Sequence, residues 1–138
     1  MQDSTTTDIR RAGPWLMIAG FFGTTAIAAG AYGWHSLGDD VIFMMGVDYH
    51  VWHAIALLGV AWVATHPTSF PPRLTSFIGI CFSLGIFLFS GTLYAFGLWN
   101  TVPITGAAPL GGGLLIAGWA AFMWGGWKVM AGKDPDRT

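Results

Sequence analysis

Two imidazoles, a phenol and a carboxylate crowd the stretch Gly46-Val47-Asp48-Tyr49-His50-Val51-Trp52-His53-Ala54-Ile55-Ala56-Leu57-Leu58, which is otherwise apolar. Ionisable groups placed beside hydrocarbon need partners or a purpose. His50 and His53 at i, i+3, with Asp48, Asp39 or His35, form a set that can hold Zn or Cu, for which imidazole and carboxylate are suitable ligands. His35 and His53 on facing helices can serve as the two axial ligands of a haem iron, with Tyr49 stacked on His53 one turn away. An Asp, Tyr and His series can also pass protons. Against these stands a purely structural role, in which His35 and His53 cross-link two helices by hydrogen bonds and the aspartates are solvated in a loop. Catalysis has no such foothold, because Ser90 has no general base assignable from sequence, and no catalytic residue is expected. Ser83, Ser90 and Thr92 are expected to bond to helix carbonyls.

The elements that must position these groups follow from composition. Hydrophobic residues make up 54% of the 138-residue chain and charged residues only 9%, with eight Trp and ten Phe. That balance belongs to a membrane protein, not to a soluble domain. At about 20 residues per helical crossing, four apolar runs fit, over about 14–32, 49–65, 74–99 and 108–130. The second run can start earlier, since 41–47 is also apolar. Residues 1–13 and 132–138 are polar tails around one transmembrane domain, 14–131. The fold class is an all-α, four-transmembrane-helix bundle, because the runs have helical span lengths and their polarity does not alternate. A net charge of -1 without a basic cluster argues against a nucleic-acid partner. The single cysteine, Cys81, can form no internal disulfide.

Arg10, Arg11, Arg73, Lys128, Lys133 and Arg137 all fall on one side of this arrangement. Both termini are therefore expected in the cytoplasm, with the Trp34 to Asp48 and Asn100 to Gly106 connections facing outward. Trp15, Trp34, Trp52, Trp99 and Trp127 are expected near span ends, at headgroup level. Asp48, His50 and His53 then open span two at the outer interface, and His66 is an interfacial loop residue. Association of helices in lipid depends on close packing, so small residues should mark the seams. Gly23 and Gly30 belong to such a stripe on span one, and Gly111, Gly118 and Gly125 recur at intervals of seven on span four. The same glycines could make room for a flat cofactor such as a quinone or tetrapyrrole.

Four motifs together carry a family resemblance. They are Gly30-Ala31-Tyr32-Gly33-Trp34-His35, Tyr49 with His53-Ala54-Ile55-Ala56-Leu57-Leu58, Phe89-Ser90-Gly91-Thr92-Leu93-Tyr94, and Pro109-Leu110-Gly111-Gly112 with Gly118-Trp119. From about Trp15 to Trp127 the chain resembles the small four-span membrane family catalogued as domain of unknown function 423, to which eukaryotic transmembrane protein 256 is also similar. The resemblance implies a bacterial inner-membrane protein without an established activity. His35, His53, Tyr49, Ser90 and Tyr94 match the family's motif positions, whereas Asp48 and His50 do not, and Trp34 replaces a small residue. A metal site built on Asp48 or His50 would thus be particular to this chain. The expectation is a non-enzymatic accessory or assembly subunit in the lipid bilayer beside a larger membrane complex, with no cofactor. The alternative is a haem, quinone or metal-binding redox protein using His35 and His53. Tyr94 is expected to meet the His35 and His53 region.

Overall fold

The computed structural model describes residues 8–132. A 3₁₀ turn, Ile9–Ala12, leads into α1 (Gly13–Ser36), followed by α2 (Val41–Ala64), α3 (Pro72–Trp99) and α4 (Ala107–Ala131). All four are long and apolar enough to cross a membrane. At 1.5 Å per residue the shortest, 24 residues, spans about 36 Å, enough for a hydrocarbon layer about 30 Å thick.

Local chemistry sets the helix ends. The Asp8 carboxylate accepts from Arg10 N–H and pairs with Arg11 Nε at 3.0 Å, holding the opening turn. Pro72 stands in the first turn of α3, where a missing N–H leaves no bond unmade. Gly38 and Asp39 both adopt left-handed backbone (φ +59° and +62°), which makes a four-residue reversal between α1 and α2 possible. Asp40 then caps α2, its carboxylate accepting from Phe43 N–H at 2.8 Å.

That cap corrects the expected second span. Helix α2 begins at Val41, not at residue 49, so Asp48, Tyr49 and His50 lie two turns or more inside it. His53 is the thirteenth of its 24 residues and sits at its midpoint, not at the outer interface. The connection expected to face outward shrinks from 34–48 to 37–40. Span one likewise runs on to Ser36, and Trp52 lies mid-helix rather than at a span end.

Helices α2 and α3 form the centre, with α1 packed on α2 and α4 packed on α3. No substantial α1–α4 interface exists among the described residues. The core runs through Leu57 and Val60 of α2, Ile78, Phe82 and Ile86 of α3, and Leu115 of α4. Arg10, Arg11, Arg73 and Lys128 gather at one end, as antiparallel neighbours require, and Asp39 and Asp40 stand at the other. Lys133 and Arg137 lie outside the described residues.

Glycines decide how closely α4 approaches α3. A Cβ on Gly118 would stand 2.6 Å from the Phe82 ring. One on Gly111 would stand 2.5 Å from the Phe89 backbone nitrogen, and one on Gly125 would overlap the Phe70 ring. On α1, Gly30 meets Val47 and Gly33 meets Phe43 and Met44, but Gly23 meets nothing within 4 Å.

Candidate functional site

Two histidines one turn apart on α2 connect it with every other helix. His50 is buried and faces both flanking helices: its Nδ1 is 2.9 Å from the Tyr94 hydroxyl on α3 and its Nε2 is 3.4 Å from Thr25 Oγ1 on α1. His53, equally buried, reaches its own helix and α4. Its Nδ1 is 2.6 Å from the Tyr49 carbonyl, and the Trp119 indole N–H donates to its Nε2 at 3.1 Å.

Hydrogen-bond arithmetic assigns the protons. An indole N–H only donates, so His53 Nε2 must accept, and the ring proton sits on Nδ1, from which it is donated to the Tyr49 carbonyl. The Thr25 hydroxyl spends its hydrogen on the Phe21 and Phe22 carbonyls, at 2.9 and 3.1 Å. It therefore accepts from His50 Nε2–H, which leaves His50 Nδ1 to accept the Tyr94 hydroxyl proton. The two imidazoles thus hold opposite neutral tautomers. A proton added to His53 would set a second N–H against the Trp119 N–H and break the only side-chain hydrogen bond that joins another helix to α4 among the described residues.

Close packing permits these bonds. Tyr94 reaches His50 because Gly46, one turn before it on α2, leaves space: a Cβ there would lie 3.0 Å from the Tyr94 ring. Phe43 packs on Tyr94 at 4.7 Å between centroids, and Phe22 meets the His50 ring edge-on at 5.4 Å. Around His53, Tyr49 stacks at 14° between planes, and Phe82 and Trp119 approach at steep angles. A cleft of about 420 Å³ opens beside this group between α2 and α4, lined by Tyr49, Trp52, His53, Phe89, Gly112 and Trp119 among others.

The expected ligand sets do not assemble. His35 is exposed in the last turn of α1. Contacts of Gly30 with Val47 and of Thr25 with His50 fix the α1–α2 register, and they put His35 about 18 Å along the axis from His53. Tyr94 meets His50 instead of His35 and His53. Asp48 is exposed on the face away from the imidazoles, and no group of three or more His, Cys, Asp or Glu that could hold a metal ion occurs among the described residues. Ser83 and Thr92 donate to carbonyls one turn back, at 2.7 and 2.6 Å, as their types suggest. Ser90 does not; its buried hydroxyl has no partner. His66, in the loop after α2, contacts the Thr65 hydroxyl at 2.8 Å.

The family motifs include His53 and leave His50 out, and sequence reasoning does not bring Thr25, Gly46 or Trp119 into this network. The signals were present: Gly46 precedes His50 by four, and Gly118-Trp119 falls in a motif already singled out. Neither carries the depth at which a facing helix presents its side chains.

Fold and site define a four-helix integral membrane protein whose central helix is tied to its neighbours by a buried polar seam. The chain belongs to the family described as "Protein of unknown function (DUF423)", whose model matches residues 29–112. It is 32% identical over 117 residues to a UPF0382 membrane protein of Haemophilus influenzae, covering 80% of this chain and 89% of that one. It is 35% identical over 101 residues to the UPF0382 membrane protein YwdK of Bacillus subtilis (68% and 80%) and 30% identical over 116 residues to the UPF0382 inner membrane protein YgdD of Escherichia coli (80% and 86%). No solved structure matches the chain. With four spanning helices and these relatives, it is a multi-pass protein of the bacterial inner membrane.

Proposed function

We propose that the protein is a non-enzymatic accessory or assembly subunit that packs laterally against a larger membrane complex. The observation that carries this reading is the closure of the polar seam: all four ring nitrogens of His50 and His53 are engaged within the bundle. Chemistry at either nitrogen of His50, or at His53 Nε2, requires breaking a link between helices, and His53 Nδ1 is held by its own helix. The outer flank of α1 points the same way, being thinly covered, with Gly20 and Gly23 meeting nothing within 4 Å. Small residues on a lipid-facing helix suit close approach of another helix. Both termini lie in the cytoplasm on this reading, supported by the four basic residues at one end. A reporter at the carboxy terminus that is active only outside the cytoplasm should stay silent; activity there overturns this orientation.

A second reading keeps the cleft beside His53 as a seat for a quinone ring or other flat lipid-phase cofactor, supported by its aromatic lining. Haem or metal ligation by His53 needs Nε2 released from Trp119 or Nδ1 from the Tyr49 carbonyl. Gentle detergent extraction of the chromosomally tagged chain separates these readings. Co-migration with a large complex supports the accessory role. A lone, purified species carrying a Soret band, stoichiometric metal or extractable quinone supports the cofactor role. A lone, colourless and metal-free species without quinone sinks both.

A further inference from the structure

Asp48 is the one acidic residue within the described spans that is neither at a helix end nor bonded. It lies on the exposed side of α2, about 9 Å below the level of Trp34 and Trp99, the exposed indoles that mark the outer interface. A carboxylate on a single methylene cannot snorkel that far. On a helix it shares a stripe with Val51 and Ile55, three and seven residues on. Those two side chains, with Leu16, Gly20, Gly23 and Ile27 of α1, line an open apolar groove of about 370 Å³ between α1 and α2. Gly20 and Gly23 have no neighbour within 4 Å of an added Cβ, so the groove is shallow and unfilled.

We infer that the α1–α2 groove with Asp48 is the docking surface for a transmembrane helix of another protein that carries a Lys or Arg about two turns below the outer interface. The inference rests on the accessory-subunit reading and names the site and the partner's chemistry. Charge complementarity selects that occupant. A second copy in the same orientation would bring its own Asp48 to the same level, while its basic residues lie at the opposite end, about 24 Å away along the axis. A lipid tail has nothing to offer a carboxylate, and lipid head-group amines stay at the interface above it. The groove admits a few knob side chains of a crossing helix, and the glycines let its backbone approach closely.

The test uses the full chain, fluorescently labelled and reconstituted in phosphatidylcholine vesicles, with synthetic poly-leucine transmembrane peptides as probes. One peptide carries a single Lys at the matching depth and a control carries Leu there. Energy transfer should report about tenfold tighter association of the Lys peptide, the ratio that a 1.4 kcal/mol preference produces. Asp48→Asn should abolish that preference, and Gly23→Leu should weaken both peptides by filling the groove. Both positions are exposed or uncrowded, and an unchanged melting curve verifies folding. Equal binding of the two peptides, or a Lys preference that survives Asp48→Asn, overturns the inference, as does self-association of the chain that Gly23→Leu abolishes and Asp48→Asn leaves intact. Should the tagged Asp48→Asn chain still co-migrate with a complex in cells, the accessory reading stands and this site falls. A wild-type chain that runs alone but selects the Lys peptide gives the reverse outcome.

Discussion

The α3–α4 seam and the α1–α2 seam are built from the same small residues yet differ in how far they close. On α4, Gly111, Gly118 and Gly125 lie against Phe89, Phe82 and Phe70, and on α3 a Cβ at Gly85 would overlap Leu115. On α1, Gly30 and Gly33 touch α2 near the end opposite the basic residues, but nearer those residues Gly20 and Gly23 face open space. Spacing alone does not distinguish the two. What differs is what faces them: the Phe82 ring and the Leu88 and Phe89 backbone of α3, with the Phe70 ring from the loop before it, fill the α4 glycine hollows, whereas Val51, Ala54 and Ile55 leave the α1 hollows unfilled. A glycine stripe therefore marks a capacity for close approach, which is used internally in one case and left open in the other.

The sharpest way to break this comparison is one methyl group at each seam. Gly111→Ala pushes a Cβ into the α3 backbone, which no rotamer change can relieve, and should cost about 2–3 kcal/mol. Gly23→Ala meets nothing and should be neutral or stabilising by up to about 1 kcal/mol through helix propensity. Denaturant unfolding in detergent compares them, and equal destabilisation would show the α1–α2 seam to be closed as well. Next in size, the bond across the α2–α4 cleft sharpens the contrast, because it does with polarity what α3–α4 does with packing. His53→Leu strands the Trp119 N–H and should cost about 1–3 kcal/mol. Paired with Trp119→Phe in a double-mutant cycle, it should show coupling, which is absent if the indole bond does not form. His50→Leu, which strands the Tyr94 hydroxyl, should be comparable or smaller, since a hydroxyl can rotate toward another acceptor whereas an indole N–H is fixed. The smallest effect is expected at Ser90, whose buried hydroxyl has no partner to lose. Ser90→Ala should leave the melting temperature unchanged or raise it; a marked drop would reveal a bonding partner for that hydroxyl.

Much of the fold was legible, and the misreadings fall on particular residues. Asp48 looked like the start of a span because a carboxylate rarely sits in an apolar helix, yet the cap is Asp40, eight residues earlier. His35 looked like a partner for His53 because both bound the same short connection in sequence; once α2 starts at Val41, they lie at different depths. His50 falls outside the family motifs, and its sequence suggests only a metal ligand particular to this chain. Burial between Phe22 and Tyr94 makes it instead the junction of α1, α2 and α3.

Length, hydropathy and charge placement settled the four helices, the bilayer setting and the gathering of basic residues at one end, because these depend only on the chain's own sequence of apolar runs and turns. Which glycines are filled, which imidazole meets which hydroxyl and which tautomer each holds were decided by tertiary structure. In a soluble bundle the buried face betrays itself as an apolar stripe, but lipid is as apolar as a protein core. A spanning helix is therefore apolar on every side, and its rotation and depth against its neighbours appear only when ring, glycine and hydroxyl are brought together in space.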